Sequence, residues 1–415
     1  MRILHVNKFL YRRGGAEGYM QDVAELQAGA GHDVAFFGMR HELNDPQHYA
    51  DAFPSHMEFE PPPPDAAGKA RAFGRMLWSR SAERGIARVV DDFRPDVVHL
   101  HNIYHQLSPS VLRPLAARGI PAVMTLHDYK LACPTYQFLD NGSLCQACLT
   151  GGLAQAVKRR CRNGSLAASA AAAVEVGLHR WFGAYDSVRL FLCPSRFLAD
   201  SMRAAGLATD RLRVLDNFTD TASVVPQRAP GSGLVFAGRL SAEKGVDVLV
   251  RAVGRLEEAT LDVAGDGPER ERLEALAAQT APGRVRFHGR LPKDRLLDLL
   301  RGGSVSVVPS RWHENQPLAV LEAFSCGLPV VTTGLGGLPE LVEPGVDGVI
   351  VGHDDPAALA EGLRPLLADP GRCHRMGRAA RAKAELRFSP AGHLDRLMEH
   401  YDHAAARPVA GRTIA

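Results

Sequence analysis

Two glutamates stand eight residues apart, Glu314 and Glu322, in the segment RWHENQPLAVLEAFSCGLPVV. The apolar run 305–309 before them predicts a buried strand. The following helix is predicted to open at Pro317, because the N–H that proline lacks would be unpaired in a first turn anyway. One carboxylate therefore precedes the helix, and the other lies roughly 7–8 Å further along its axis. Unpaired N–H groups between them attract an anion, so the pattern predicts a receptor for a sugar nucleotide.

Two cations follow the first predicted strand of the second half, in the segment GRLSAEKG. After Gly238, the guanidinium of Arg239 can bind two phosphate oxygen atoms at once, whereas Lys244 offers a point charge. Either cation alone is typical of a solvated surface loop. Together with the glutamate pair in the same half of the chain, they predict a diphosphate-binding site.

The first half offers further candidates at predicted strand ends. Gly14 and Gly15 follow the first strand and open a helix, where glycine lets the backbone approach a phosphate closely. Their spacing is not G-x-G-x-x-G, so no nicotinamide cofactor is predicted. His127 ends the strand in PAVMTLHD and could bind a sugar hydroxyl or donate a proton to a departing phosphate. A role in packing or capping is the alternative.

Metal catalysis has little support in the residue pattern. His99 and His101 share one face of VVHLHN and could bind a metal, but no third ligand accompanies them. Sugar transfer with a divalent ion commonly uses two aspartates separated by one residue, and the chain contains no such pair. We therefore expect Arg239, Lys244 and helix N-termini to stabilise the leaving group, with no metal ion or other cofactor in catalysis.

Four cysteines form the pattern C-x11-C-x2-C-x12-C: Cys133, Cys145, Cys148 and Cys161. The inner pair has zinc-ribbon spacing, and four thiolates would complete a tetrahedral structural zinc site. Four free thiols, or a redox-active inner pair, are the alternatives. A structural ion would hold together the insertion 133–161 beside the cleft and would take no part in bond chemistry.

These candidates need a scaffold, and the spacing of the apolar runs predicts one. Short continuous apolar strands alternate with helical segments in both halves, which is typical of parallel sheets covered by helices on both faces. We predict an α/β fold of two tandem Rossmann-like domains, residues 1–217 and 218–387, facing each other across a cleft. Ligands of such sheets bind at the carboxyl ends of the strands. A helix over 388–403 and a disordered tail over 404–415 complete the prediction.

The composition is that of a soluble globular chain, with 46% hydrophobic and 23% charged residues. The net charge of +3 does not suggest nucleic acid as a partner, and no aromatic-basic interleaving supports it. No apolar stretch reaches the ~20 residues that span a bilayer, and the N-terminus lacks a signal-peptide pattern, so a cytoplasmic location is expected. The six cations of 69–88 predict a basic helix that could rest on the inner face of an anionic membrane. Packing of that helix on the sheet is the alternative.

With the motifs GGAE, TLHD, FAGRLSAEKG and EAFSCGLPVV, the sequence resembles the glycosyltransferase group 1 family (family 4), whose members are retaining sugar-nucleotide transferases of GT-B fold. The resemblance covers nearly the whole chain. It implies transfer of a hexose-type unit from a UDP- or GDP-sugar to a hydroxyl acceptor, in the biosynthesis of a polysaccharide, a lipid-linked glycan or a glycosylated natural product. A sugar-nucleotide epimerase of the same fold and a non-catalytic sugar-nucleotide-binding subunit are the alternatives.

The resemblance also implies a role for each candidate. Glu314 would hold hydroxyls of the donor sugar, and Glu322 would hold those of the ribose. Arg239 and Lys244 would bind the diphosphate, while His127 would contact the donor sugar near the reacting carbon. The last helix would cross back to the first domain, and the cysteine-bearing insertion leaves the acceptor open. The further donor-binding positions implied are Gly14, Gly15, Gly238, Gly289, Arg290, Asn315, Gln316, Pro317 and Leu318.

Overall fold

The computed structural model describes residues 1–59, 63–227, 229 and 231–406. The strands of the first half are β1 (Arg2–Val6), β2 (Asp33–Phe37), β3 (Val97–Leu100), β4 (Ala122–Thr125), β5 (Leu139–Asp140), β6 (Ser143–Leu144), β7 (Val188–Cys193) and β8 (Leu212–Val214). Six of them form a parallel sheet in the order β2-β1-β3-β4-β7-β8, and β5 pairs with β6 in an antiparallel hairpin. Every residue of β3 and β4 is buried, as expected for central strands that are covered on both faces.

Helices follow most of these strands along the chain. They are α1 (Gly15–Gly29), α2 (Ala66–Leu77), α3 (Arg80–Phe93), α4 (Leu112–Ala117), α5 (Ala147–Gly151), α6 (Ala154–Lys158), α7 (Leu166–Trp181) and α8 (Arg196–Ala204). The cysteine-bearing insertion thus contains the β5-β6 hairpin and the two short helices α5 and α6.

The second half repeats the design. Its strands β9 (Leu234–Ala237), β10 (Leu261–Ala264), β11 (Val285–Gly289), β12 (Val305–Val308), β13 (Val330–Thr333) and β14 (Gly348–Val351) form a parallel sheet in the order β11-β10-β9-β12-β13-β14. Its helices are α9 (Val246–Gly254), α10 (Arg270–Thr280), α11 (Lys293–Gly302), α12 (Leu318–Ser325), α13 (Leu338–Leu341), α14 (Pro356–Ala368) and α15 (Pro370–Arg387). The predicted fold of two parallel α/β sheets is confirmed.

The last helix, α16 (Pro390–Ala406), returns to the first sheet. Tyr401 on this helix hydrogen-bonds His99 of β3 at 2.7 Å, and His393 hydrogen-bonds Tyr19 of α1 at 3.0 Å. Arg189 of β7 donates to the carbonyl of Ala404 at 2.8 Å. The predicted crossing of the C-terminal helix is therefore correct. The helix extends three residues past the expected end at 403, and 407–415 of the predicted tail lie outside the described residues.

Two predicted elements differ in the structure. The single basic helix expected over 69–88 is wrong: α2 ends at Leu77 and α3 begins at Arg80. The chain breaks there because Trp78 is extended and the Ser79 side chain accepts from the N–H of Ala82, capping the second helix. Pro317 is the N-cap of α12 rather than its first residue, since its backbone is extended.

Candidate functional site

Glu314 lies in the loop after β12 and is held by two side chains of its own domain. Lys244 Nζ lies 2.7 Å from Glu314 Oε1, and the hydroxyl of Ser310 donates to the same oxygen at 2.6 Å. Glu314 is buried, so these two donors offset the cost of removing its charge from water. The structure thus brings together two predicted site residues that stand 70 positions apart in the chain.

Two glycines that the sequence reasoning missed shape the turn at Glu314. The N–H of Gly337 donates to the carbonyl of Glu314 at 2.7 Å, and Gly336 pairs with Glu314 as an isolated β-bridge. Gly336 has φ +67°, and a Cβ there would lie 2.1 Å from the carbonyl oxygen of Glu314. Only glycine permits this approach. The segment GLGG after β13 was the available signal.

The turn at Glu314 also contacts the first domain. The amide of Asn315 donates to the carbonyl of Leu126 at 3.1 Å and accepts from the Ser195 hydroxyl at 2.9 Å. The hydroxyl of Tyr129 lies 3.4 Å from the carbonyl of Glu314. Residues on both sides of His127 therefore touch the predicted donor-binding turn across the cleft.

The side chain of Gln316 contacts the segment that links the two domains. Its side chain accepts from the N–H of Asn217 and donates to Asp216 at 2.6 Å. Asp216 also pairs with Arg387 at 2.8 Å. The side-chain amide of Gln316 therefore ties the turn to the segment that links the two domains, and its backbone carbonyl also accepts from the Asn217 side chain at 3.0 Å.

The glycine loop of the first domain approaches the N-terminus of α12. Gly14 is the N-cap of α1, and a Cβ on Gly15 would lie 3.9 Å from the Leu318 side chain. Arg290, which follows Gly289 at the end of β11, donates to the carbonyl of Arg12 in the same loop. The loop thus lies close to both predicted donor-binding segments of the second domain.

The two residues predicted to bind the diphosphate, Arg239 and Lys244, differ in their side-chain contacts. Arg239 is exposed, and its side chain has no hydrogen bond or ion pair with any residue in the described part of the chain. Lys244 pairs with Glu314 and lies 5.2 Å from the centre of the Trp312 ring, a cation–π contact. A bound diphosphate would therefore compete with Glu314 for Lys244, whereas Arg239 can bind it without breaking a contact.

Glu322 lies one turn inside α12 and is largely shielded from water. Burial raises the pKa of its carboxyl group to about 7; Lys293 opposes the shift and Asp22 adds to it. A carboxylate with this pKa changes charge near neutral pH. Its capacity to accept hydrogen bonds would therefore change with pH.

His127 follows β4 and packs among aromatic residues of the first domain. Its Nε2 lies 3.0 Å from Nδ1 of His101, and its ring packs edge-on against Tyr19 at 5.4 Å. Burial lowers the pKa of His127 to about 3. The imidazole is therefore neutral, and it can act as a hydrogen-bonding group rather than as a cation.

His99 and His101 have the third histidine neighbour that the sequence did not reveal. His5 joins them, and in the described part of the chain these three form the one group of at least three His, Cys, Asp or Glu residues whose ligand atoms lie within 4.8 Å. All six of their nitrogen atoms are already hydrogen-bonded to Gln27, Thr125, Tyr401, His127 or each other. A metal would have to break those bonds, so we interpret the group as a hydrogen-bonded network.

The four cysteines lie in one region of the insertion. Burial raises the pKa of Cys148 to about 11, with Cys133 and Cys145 adding to the shift. Burial also raises that of Cys161 to about 12, and all three other thiols contribute. No three of the four sulphur atoms lie within 4.8 Å of one another, so an ion would have to draw them together. The zinc site stays a prediction.

These features define a class of protein: two parallel α/β sheets of GT-B fold with the candidate site between them. Sucrose-phosphate synthase from Thermosynechococcus elongatus has this fold, with a TM-score of 0.74, 20% identity and coverage of 97% of this chain and 98% of that one. HepE of Anabaena in complex with UDP has a TM-score of 0.67 and 19% identity, over 97% of this chain and 100% of that one.

The chain belongs to the glycosyltransferase group 1 family (family 4). The model of Glycosyltransferase Family 4 matches residues 13–223, and that of Glycosyl transferases group 1 matches 230–383. The D-inositol 3-phosphate glycosyltransferase of Xylanimonas cellulosilytica is 41% identical over 183 residues, 43% of each chain. That of Acidothermus cellulolyticus is 31% identical over 331 residues, which cover 73% of this chain and 65% of the relative. The glycogen synthase of Mycobacterium tuberculosis is 34% identical over 207 residues, 48% of this chain and 50% of the relative.

Proposed function

We propose that this glycosyltransferase moves a hexose-type unit from a UDP- or GDP-sugar to a hydroxyl acceptor, with retention at the anomeric carbon. The observation that carries the proposal is the contact of Asn315 with Leu126 and Ser195. It brings the predicted donor-binding turn at Glu314 beside His127. HepE of Anabaena has been crystallised with UDP-glucose, which supports a nucleotide sugar as donor.

In this proposal the second domain holds the donor. Glu322 accepts from the ribose hydroxyls, and Glu314 accepts from those of the donor sugar. Arg239, Lys244 and the free N–H groups at the start of α12 surround the diphosphate. Lys244 leaves Glu314 when the diphosphate enters, which frees Glu314 Oε1 for a sugar hydroxyl.

The proposed reaction uses the departing phosphate as its base. The bond between the anomeric carbon and the phosphate oxygen breaks, and the acceptor oxygen bonds to the same face of that carbon. The proton of the acceptor passes to the departing phosphate oxygen. Fixed cations and helix N–H groups stabilise the charge that develops there, so we propose that the transfer does not require a metal ion.

The test is to incubate the protein with a panel of UDP- and GDP-hexoses and hydroxyl acceptors, with and without EDTA. We expect release of nucleoside diphosphate only when an acceptor is present, unchanged by EDTA, and a product with the anomeric configuration of the donor by NMR. Conversion of a sugar nucleotide without acceptor would indicate an epimerase. Binding of a sugar nucleotide by thermal shift without turnover would indicate a non-catalytic subunit.

The proposed acceptor side includes an exposed apolar helix face. Along α7, the side chains at Leu166, Val174 and Trp181 lie on one stripe and are 54%, 46% and 78% exposed. Phe182, 60% exposed, stacks near Trp181 with ring centres 5.1 Å apart. Aromatic and aliphatic side chains in such a stripe are typical of a helix that lies in a membrane interface.

The charges around α7 favour an anionic surface. Helices α2 and α6 both pack against α7. The segments 66–82 and 141–174, which contain these helices, carry eight cations and no acidic residue. We therefore propose that α7, and not one continuous basic helix over 69–88, meets the membrane. Among the described residues, no helix is both long and apolar enough to cross a bilayer.

Vesicle sedimentation tests this surface. The protein should sediment with phosphatidylglycerol vesicles and much less with phosphatidylcholine vesicles. Replacing both Trp181 and Phe182 with alanine should abolish sedimentation, because each aromatic side chain contributes roughly 2 kcal/mol or more of apolar burial. Leu386→Ala, at a side chain 88% exposed in the other domain, is the matched control. Equal sedimentation of the double variant and the control would refute the proposal.

A further inference from the structure

A chain of hydrogen-bonded side chains runs from the C-terminal helix through the first domain to the cleft. Gln27 Nε2 donates to the Tyr401 hydroxyl at 3.0 Å, and Gln27 Oε1 lies 2.7 Å from Nε2 of His5. His5 Nδ1 lies 3.1 Å from Nε2 of His101. His101 Nδ1 in turn lies 3.0 Å from Nε2 of His127. Four bonds therefore connect α16 to the predicted sugar-binding histidine.

The inner members of this chain are shut off from water. His5, Gln27, His101 and Tyr401 have no exposed surface. Burial lowers the pKa of His5 to about 4 and that of His101 well below its usual value. Both imidazoles are therefore neutral at pH 7, and each has one N–H and one lone pair. Since each ring uses both nitrogen atoms, every bond along the chain must point in the same direction.

Gln27 determines that direction. Its Oε1 can only accept, so His5 must carry its proton on Nε2. His5 Nδ1 is then an acceptor, and it receives the N–H of His101 Nε2. By the same argument, His101 Nδ1 receives the N–H of His127 Nε2. His127 is left with a bare Nδ1, which makes no hydrogen bond to any residue within the described ranges.

The other end of the chain is compatible with this orientation of Gln27. Because Gln27 donates to the Tyr401 hydroxyl, Tyr401 is free to donate to His99 Nδ1 at 2.7 Å. His99 Nε2 then donates to the Thr125 hydroxyl, also at 2.7 Å. If the Gln27 amide turned over, every bond would reverse, and His127 Nδ1 would carry a hydrogen. The two states present opposite groups to a ligand.

We propose that Gln27, His5 and His101 are positioning residues that keep the proton of His127 on Nε2 and direct the Nδ1 lone pair into the cleft. The proposal rests on the proposed function, in which a hydroxyl of the donor sugar or acceptor lies at His127. A bare Nδ1 accepts a hydrogen bond from that hydroxyl. The C-terminal helix takes part through Tyr401, so a residue of α16 influences the polarity of a group in the cleft.

The direct test is to determine the tautomer of His127 by ¹⁵N NMR of protein labelled at histidine. A His127→Gln variant identifies which signals belong to His127. We expect the Nε2–H form in the parent protein. Gln27→Met removes the acceptor that orders the chain, so it should produce a mixture of both forms. Tyr401→Phe keeps the packing and should give a smaller shift in the same direction. Gln21→Met, on the same helix α1, should leave the tautomer unchanged.

Kinetics provide the second measurement. Gln27→Met should lower kcat about tenfold, the effect of losing one correctly polarised hydrogen bond, and the Kd of UDP should stay unchanged because UDP lacks the sugar. An Nδ1–H tautomer in the parent protein would overturn the proposal, as would a Gln27→Met variant with the tautomer and kcat of the Gln21→Met control. If the parent protein transfers no sugar, the proposed function fails, while the tautomers still decide the direction of the chain.

Discussion

Nucleotide binding should depend on pH through Glu322. With a pKa of about 7, this carboxyl group is about 90% ionised at about pH 8 and about 10% ionised at about pH 6. The ionised form accepts more strongly from the ribose hydroxyls, because both of its oxygen atoms are charged acceptors and neither carries a hydrogen. Nucleotide binding therefore displaces a proton, so the affinity rises with pH through neutrality and levels off above it. We expect the Kd of UDP to be about tenfold higher at about pH 6 than at about pH 8.

Isothermal titration of UDP over this pH range measures the effect. The phosphate of UDP also titrates there, but it does so equally in every variant. In Glu322→Gln the change in the Kd of UDP between about pH 6 and about pH 8 should therefore be about tenfold smaller than in the parent protein. Glu361→Gln, on the exposed face of α14, is the control and should behave like the parent. Parallel pH profiles for the parent and Glu322→Gln would refute the reasoning.

The same carboxyl group should influence the stability of the free protein. Its pKa is raised from 4.5 to about 7 on folding, so the folded state binds the proton more tightly than the unfolded state. The stabilisation is complete below the unfolded pKa and is lost as the pH rises through about 7, by at most about 3 kcal/mol. Glu322→Gln should remove this component of the pH dependence of unfolding by urea.

Three further results are expected. Arg239→Ala should lower kcat about 10²–10³-fold with little change in melting temperature, since the side chain stabilises the leaving group and supports no contact in the described structure; near-parental turnover would contradict this. Gly336→Ala should impair both activity and stability because its Cβ would meet a backbone carbonyl, whereas Gly345→Ala, which has a similar positive φ but open space around it, should affect stability only mildly and leave turnover intact. Elemental analysis should find about one zinc per chain, lost when Cys145 and Cys148 are both changed to serine; parent protein free of zinc would show that the metal prediction is wrong.

The strands of both sheets could be predicted from the sequence because each is a continuous apolar run between turn residues. The run 305–309 became β12 (Val305–Val308), all of it buried. The break between α2 and α3 was harder to predict. Apolar and basic residues continue across Trp78 and Ser79, and the cap that ends the pattern is a single side-chain hydrogen bond. A single capping hydrogen bond does not change the spacing of the apolar residues, so the helix break cannot be seen in that spacing.

Some features of the candidate site could likewise be predicted from the sequence, and others could not. The sequence predicts that Glu314 and Glu322 lie near each other because both flank the start of one helix. The bond between Lys244 and Glu314 could not be predicted, since it joins different loops of the second domain. The sequence predicts Gln316 in the donor-binding turn, and in the structure its side chain faces the interdomain segment. Local spacing places the backbone of a turn, and packing decides where each side chain points.

The sequence by itself predicts which polar and charged side chains gather at the strand ends, because a parallel sheet brings its carboxyl ends to one edge whatever its loops contain. Only the tertiary structure decided how His127 is oriented. His5 and His99 are register partners on neighbouring parallel strands, so β1 and β3 bring together histidines that are about a hundred residues apart. Hydrogen bonds across such distances depend on strand register and on the helix α16 that covers them. Neither the register of the strands nor the position of α16 can be predicted from residue spacing within a single segment.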